Sequence, residues 1–221
     1  VPKIISNGHI GLKYFIEMEK IPGIDLFDCI EENLLNLEEK IEIAAQLTDI
    51  LCKLHALEIT HRDIKPENLK WNKDNNTLYI FDFDIAYHPA IRRRDFLLKP
   101  EGTPGYYSYE QCRPGCKTIP QYMDVTALGV VLIDLFSKQY PENNDNVWKL
   151  NQTNKEIFKE TLKKEITKEQ IANAEKIREH LVDLIFPTTI GKKFKTIHKG
   201  SMFSMNPNER KSLKEVKEAI M

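Results

Sequence analysis

Two short segments of this chain carry the side chains with the clearest chemical potential. The first, residues 61–69, reads His-Arg-Asp-Ile-Lys-Pro-Glu-Asn-Leu and places a carboxylate, an ammonium group and an amide in one loop. The second, Asp82-Phe83-Asp84, adds two carboxylates directly after a short apolar run. A carboxylate can accept a proton, an ammonium group can offset anionic charge, and amide and carboxylate oxygens suit magnesium. These are the groups that phosphoryl transfer uses.

The first string resembles the catalytic loop of eukaryotic-type protein kinases, specifically their serine/threonine branch. The resemblance implies that Asp63 is the catalytic base for a protein hydroxyl and that Lys65 contacts the transferring phosphate of ATP. It also implies that Asn68 binds a magnesium ion. A lysine at position 65, in place of the alanine and arginine residues of tyrosine kinases, favours serine and threonine substrates.

The second string stands where the family has Asp-Phe-Gly. The resemblance implies that Asp82 is the main magnesium ligand and that Phe83 packs against His61. Asp84 departs from the pattern, because the usual glycine lets the backbone change conformation more freely. A second carboxylate near the phosphates would either repel the nucleotide or help to hold the metal, and the sequence leaves both alternatives open.

Residues 82–110 resemble a kinase activation segment. Thr103 matches the threonine that hydrogen-bonds the catalytic aspartate and lysine, which makes it a fourth catalytic candidate. Glu110 matches a buried glutamate, and Arg210 is its implied partner. Asp124 matches the aspartate that begins the central helix, residues 124–136, and anchors the catalytic loop.

Arg62 stands where the family receives a phosphate placed on the activation segment. Between Asp84 and Gly102 the chain has no serine or threonine, whereas Asp95 and Glu101 offer carboxylates. We therefore expect activity to be independent of phosphorylation in this segment.

Residues 16–19 resemble the connector behind the adenine pocket. The resemblance implies that backbone groups of Glu17 and Met18 bind adenine, and that Lys65, Asn68 and Asp82 complete the nucleotide and magnesium site. Lys70 stands where the family has an apolar adenine floor, which places a charge in the pocket.

The periodicity and turn signals predict an α+β fold, mainly α. Two strands are expected in residues 1–19, around a turn at Asn7-Gly8-His9, and Asp25 is expected to cap a helix. The remaining expected elements are a buried helix over 37–57, a hairpin turn at 74–76 before a strand at 78–81, an apolar helix over 125–136 and an amphipathic helix over 213–220.

The resemblance divides the chain into a remnant of the kinase N-terminal lobe and hinge, residues 1–20, and a C-terminal lobe, residues 21–221. No glycine-rich phosphate loop and no strand lysine with its glutamate partner are found in the sequence. We therefore expect weak or no turnover from this chain alone. The charged region 141–200 matches the family poorly and is where a protein partner is expected to bind.

Composition supports an ordinary globular protein. The chain has 221 residues, 41% of them hydrophobic, and a net charge of −1, which argues against nucleic acid as a partner. No apolar run is long enough to span a membrane. The four cysteines are too few for a disulfide scaffold, so a cytoplasmic or otherwise intracellular location is expected.

Two other functions fit parts of the pattern. A pseudokinase that acts as an interaction module is favoured by Asp84, by Lys70, by Tyr109 in place of the usual proline and by the incomplete N-terminal lobe. A small-molecule phosphotransferase of the aminoglycoside or choline kinase type shares the arrangement of Asp and Asn residues. Lys65 and the segment from Thr103 to Glu110 disfavour this second alternative.

Overall fold

The computed structural model describes residues 1–91, 101–103, 105–106, 108–112, 121–137 and 212–220. Within these ranges the strands are β1 (Ile4–Ile10), β2 (Lys13–Met18), β3 (Ile24–Asp25), β4 (Leu69–Asn72) and β5 (Thr77–Ile80). The helices are α1 (Leu26–Glu31), α2 (Leu37–Ala56), α3 (Tyr109–Cys112), α4 (Gln121–Ser137) and α5 (Leu213–Ile220), with a 3₁₀ turn at Pro66–Asn68. Helices with two small antiparallel sheets agree with the predicted α+β class.

The first sheet is the hairpin of β1 and β2. Its two strands are confirmed, but the predicted turn at Asn7-Gly8-His9 is wrong, because these residues lie within β1. The chain reverses at Gly11, whose φ of +62° suits glycine. Gly8 instead faces Phe15, whose ring would lie 3.2 Å from an added Cβ, so its small size admits the aromatic ring.

The second sheet has the strand order β3-β4-β5, and β4 begins at Leu69, directly after the 3₁₀ turn at Pro66–Asn68. Its β4–β5 turn covers the predicted residues 74–76. The side chains of Leu69, Trp71, Leu78 and Ile80 are buried, whereas Lys70 lies on the opposite face of β4. At Gly23, φ is +100° and an added Cβ would lie 2.4 Å from the Trp71 carbonyl oxygen, so glycine is required there.

Helix α1 begins directly after Asp25, as predicted, but the Asp25 side chain makes no capping hydrogen bond. Its carboxylate instead lies 3.1 Å from the ammonium nitrogen of Lys70. Asp25 pairs with Lys70 across β3 and β4, which places the two side chains side by side. This position explains why the Asp25 carboxylate contacts Lys70 and does not cap the helix.

Helices α2 and α4 form the centre of the core. The predicted helix over 37–57 is confirmed, and its buried face includes Ile43, Leu47 and Leu51. Helix α4 is buried along nearly its whole described length, as its apolar composition predicts. Helix α5 packs on α2, where Lys217 contacts the carboxylate of Asp49.

Helix α4 begins at Gln121, so Asp124 lies in its first turn and does not start it as predicted. The predictions for Arg210 and for the divergent region 141–200 fall outside the described residues. Among the helices that the structure describes, none has the length and apolar character needed to cross a membrane.

A capping box fixes the start of α2. The side chain of Asn36 accepts a hydrogen bond from the Glu39 N–H, and the Glu39 carboxylate accepts one from the Asn36 N–H, both at 2.9 Å. Burial raises the pKa of Glu39, but the hydrogen bond from Asn36 and the ion pair with Lys73 outweigh it and hold that pKa below its ordinary value.

We expect Asn36→Ala to lower the free energy of unfolding by about 1 kcal/mol, because it leaves a helix N–H without its acceptor. Urea denaturation followed by circular dichroism measures this change. The matched control is Asn75→Ala in the exposed β4–β5 turn, which should change stability by less than about 0.5 kcal/mol. Equal effects of the two substitutions would contradict the capping role.

Candidate active site

A buried carboxylate on α4 holds the start of the catalytic loop. Asp124 is fully buried, and its two oxygens accept hydrogen bonds from the backbone N–H groups of His61 at 2.9 Å and Arg62 at 2.8 Å. His55 of α2 brings its Nε2 to 2.9 Å from the same carboxylate. One side chain therefore ties the loop to both central helices, in the anchoring position that the sequence predicted for it.

The loop backbone is strained at this anchor. Arg62 has a φ of +73°, a conformation that costs a residue with a side chain on the order of 1–3 kcal/mol. Its N–H is held by Asp124, and its carbonyl accepts a hydrogen bond of 2.8 Å from Gln111 of α3. Contacts on both sides therefore maintain the backbone turn that presents Asp63.

Two other predicted catalytic side chains, those of Thr103 and Lys65, meet at Asp63. The Thr103 hydroxyl donates to Asp63 Oδ1 at 2.7 Å, and the Lys65 ammonium group donates to the Thr103 oxygen at 2.9 Å. Lys65 Nζ also lies 3.4 Å from Asp63 Oδ2. The structure thus has the two hydrogen bonds implied for Thr103. These bonds join the activation segment to the catalytic loop at Asp63, the candidate base.

Asn68 and Asp82 offer oxygens that fit a magnesium ion. The Asn68 side chain uses Nδ2 for its bonds to the Asp63 carbonyl at 2.8 Å and carboxylate at 3.2 Å, which leaves Oδ1 as a metal donor. The Phe81 N–H donates to the Asn68 carbonyl at 3.2 Å, so Asp82 follows directly beside Asn68 in space. The carboxylate of Asp82 is exposed and makes no hydrogen bond or ion pair with any described residue.

Magnesium is commonly held by one or two protein oxygens together with substrate phosphates and waters. An amide oxygen and a carboxylate that pairs with none of the residues the structure describes match that need. Asp82 also has a φ of +63°, a conformation of the kind that is retained mainly where function requires it. No group of three or more His, Cys, Asp or Glu side chains capable of holding a metal occurs among the described residues.

His61 connects the catalytic loop to the segment that carries Asp82. Its Nε2 lies 2.9 Å from the Phe81 carbonyl oxygen, and its ring packs on Phe83 with 4.6 Å between centroids. The predicted contact of Phe83 with His61 is therefore confirmed. These contacts hold the backbone on both sides of Asp82.

Side-chain and backbone contacts fasten the activation segment to the catalytic loop. The Arg62 guanidinium group contacts the Glu101 carboxylate, as the sequence suggested for one of its two acidic candidates. Thr60 and Tyr87 exchange two backbone hydrogen bonds of 2.9 and 2.8 Å. The segment is therefore held against the catalytic loop and the residue before it at two points, Tyr87 and Glu101.

Tyr106 fastens the far end of the segment to α4. Its hydroxyl donates to the Asp134 carboxylate at 2.8 Å. Burial, followed by the negative charge of Asp134, raises the Tyr106 pKa far above its ordinary value, so the hydroxyl remains a donor across the physiological range.

Other predicted site residues lie apart from this cluster. Glu17 and Met18 belong to β2, where the Glu17 carboxylate accepts a hydrogen bond from Ser6. Their binding of adenine stays a prediction. Asp84 is exposed next to the Asp82 segment, and the charge of Lys70 is paired with Asp25. Glu110 is buried as predicted, whereas its predicted partner Arg210 lies outside the described residues.

Sequence reasoning missed the buried contacts of His55 and Gln111. The one available signal for Gln111 was its place directly after Glu110, which was predicted to be buried. A polar side chain next to a buried residue is expected to be hydrogen-bonded if it is buried too. Nothing in local sequence indicated that His55 meets Asp124.

Comparison with known proteins agrees with the site. A family profile described as "Protein kinase domain" matches residues 8–219. The probable serine/threonine-protein kinase HSL1 of Saccharomyces cerevisiae is 31% identical over 137 residues, which cover 62% of this chain and 9% of that protein. Serine/threonine-protein kinase PrkC of Bacillus subtilis is 31% identical over 149 residues, which cover 66% of this chain and 22% of that protein.

The maternal embryonic leucine zipper kinase of Xenopus laevis is 32% identical over 136 residues, which cover 61% of this chain and 21% of that protein. The chain therefore spans less than a quarter of the length of each of these three relatives. The profile match over nearly the whole chain shows that it belongs to the eukaryotic-type protein kinase family.

We expect Asp124→Asn to lower the free energy of unfolding by about 2–3 kcal/mol, because charge-assisted bonds are lost and an amide N–H₂ group faces backbone donors. Urea denaturation at neutral pH measures the loss. The exposed turn variant Asp74→Asn makes the same chemical change and should stay within about 0.5 kcal/mol of the parent. An Asp124→Asn variant as stable as this control would contradict the anchoring role.

Proposed function

We propose that this chain carries the active site that transfers the γ-phosphoryl group of ATP to serine and threonine hydroxyls of protein substrates, in a magnesium-dependent reaction that is slow in this chain alone because its sequence has no glycine-rich phosphate loop or strand lysine. The observation that carries the proposal is the Thr103 hydroxyl, which accepts from Lys65 and donates to Asp63. That arrangement fixes one carboxylate oxygen of Asp63 and holds a cation beside it. A carboxylate next to a cation suits a base that works on a hydroxyl attacking a phosphate.

In this mechanism Asp63 orients the substrate hydroxyl and takes its proton as the new phosphorus–oxygen bond forms and the bond to ADP breaks. Thr103 occupies Oδ1, so Oδ2 is the oxygen nearer to Lys65 and Asn68. Lys65 offsets charge on the phosphoryl group in transfer. Asn68 Oδ1 and the Asp82 carboxylate would hold magnesium, which would offset the negative charge of the ATP phosphates.

The nucleotide site extends this proposal toward the N-terminus. We assign residues 1–20 to a remnant of the N-terminal lobe and hinge, with Glu17 and Met18 at adenine, and residues 21–221 to the C-terminal lobe. Lys70 then borders the nucleotide, with its charge balanced by Asp25 at 3.1 Å. This ion pair supports the proposal, because it partly neutralises the positive charge that Lys70 would otherwise bring to the adenine pocket.

Two further parts of the proposal rest on the sequence. A protein partner binds at 141–200, where the chain matches the family poorly, and the protein acts inside the cell. The pseudokinase alternative is weaker, because Asp63, Lys65, Asn68 and Thr103 are all retained and in contact.

We expect calorimetry to detect ATP binding that requires magnesium and that weakens at least about tenfold in Asp82→Asn, because the variant loses a charged metal ligand. The control Asp28→Asn changes an exposed carboxylate on α1 and should bind like the parent. Equal affinity for Asp82→Asn and the parent would contradict the metal role of Asp82. In the same series, magnesium-dependent binding without transfer to any serine or threonine peptide would favour a pseudokinase.

We expect phosphotransfer to a serine/threonine peptide to survive treatment with a broad-specificity phosphatase, because Glu101 already supplies the negative charge that contacts Arg62. Glu101→Gln should lower the rate about tenfold, since the neutral amide holds the guanidinium group less firmly. The control Glu58→Gln alters an exposed residue after α2 and should keep the rate. Loss of activity on phosphatase treatment would show that a phosphate is needed.

A further inference from the structure

Gln111 is a buried polar side chain for which the proposed mechanism has no task. It lies on α3 directly after Glu110 and is 1% exposed. Its Oε1 accepts a hydrogen bond from the Ser108 N–H at 3.1 Å. Its Nε2 donates to two backbone carbonyls that are distant in sequence, those of Arg62 at 2.8 Å and Glu101 at 3.0 Å.

The first of these carbonyls belongs to the peptide bond that leads into Asp63. Arg62 is in the left-handed region, with a φ of +73°, and such a backbone relaxes unless its surroundings hold it. Asp124 holds the N–H of Arg62, and Gln111 holds its carbonyl. Because the peptide group is planar, fixing the carbonyl also fixes the direction in which the chain enters Asp63.

The second carbonyl, that of Glu101, lies just before Thr103 in the activation segment. Thr103 is the residue whose hydroxyl donates to Asp63 Oδ1 at 2.7 Å. A single side-chain nitrogen thus holds both backbones whose side chains form the bond between Thr103 and Asp63.

Glutamine is suited to this position by its chemistry. Its primary amide has two N–H groups, one for each carbonyl, and an oxygen for the Ser108 N–H. Glutamate at position 111 would keep the acceptor for the Ser108 N–H. Its second carboxylate oxygen, which cannot donate a hydrogen bond, would face the carbonyl oxygens of Arg62 and Glu101. Methionine would have a similar length and no donor, which would leave both buried carbonyls without this partner.

We propose that Gln111 is a positioning residue for phosphoryl transfer, which sets the orientation of Asp63 relative to Thr103 by binding the Arg62 and Glu101 carbonyls together. This inference rests on the proposed function for its kinetic consequence, whereas its structural consequence can be measured without turnover.

The kinetic test compares Gln111→Met with Gln46→Met in the full chain. Gln46 is a matched control, because it too uses both ends of its amide, donating to the Asn76 carbonyl at 2.7 Å and accepting from the Leu78 N–H at 2.9 Å. Its bonds hold the β4–β5 hairpin rather than the activation segment.

With a serine/threonine peptide as substrate, Gln111→Met should lower kcat about 10–100-fold while the KM for ATP changes less than about threefold. Gln46→Met should keep kcat within about twofold of the parent. Gln111→Asn retains both N–H groups with a shorter reach and should recover part of the lost kcat. Unchanged kcat in Gln111→Met, or an equal loss in Gln46→Met, would overturn the proposal.

Amide hydrogen exchange followed by mass spectrometry gives the readout that needs no activity. Exchange in the peptide covering residues 61–69 should be faster in Gln111→Met and unchanged in Gln46→Met. If Gln111→Met does not fold, Gln111→Asn takes its place in this comparison. Exchange that stays at the parent rate in the Gln111 variant would overturn the positioning role.

The two proposals fail in different ways. Absence of phosphotransfer by the parent chain would count against the proposed function, and the exchange comparison would still decide the role of Gln111. Phosphotransfer by the parent with unchanged kcat and unchanged exchange in the Gln111 variant would overturn the positioning role alone.

Discussion

The buried carboxylate of Asp124 is the interaction on which the candidate active site depends. It binds two successive N–H groups of the catalytic loop and the His55 ring, so the loop is fixed to α2 and α4 at one point. In a buried site of low dielectric such bonds are strong and their loss is costly. Because α2 and α4 are packed in the core, these bonds hold the backbone of Arg62 in its strained conformation. That backbone conformation positions Asp63, the candidate base.

Much of this arrangement could be predicted from the sequence because local patterns carry it. The spacing of apolar residues in α2 and the apolar run of α4 report burial directly, since a helix must turn such faces inward. The β4–β5 turn follows from three polar turn-forming residues at 74–76. The string at 61–69 predicted which side chains gather, and three of them, Asp63, Lys65 and Asn68, are in contact.

What escaped prediction depends on contacts between distant segments. The β1–β2 turn falls at Gly11, and the resulting register pairs Gly8 with Phe15 across the hairpin, a pairing that the turn signal at residues 7–9 does not report. Asp25 pairs with Lys70 because two strands bring them together. The bonds of Gln111 to the catalytic loop join residues that are 49 positions apart, so only the folded chain reveals them.

A crystal structure of the chain with a non-hydrolysable ATP analogue and Mn²⁺, with the metal located by anomalous scattering, would show whether Asn68 and Asp82 form the metal site beside Asp63. We expect an anomalous peak between Asn68 Oδ1 and the Asp82 carboxylate, with the terminal phosphate of the analogue facing Asp63. Nucleotide bound without metal at these two residues, or metal bound at another place in the chain, would contradict the proposed active site.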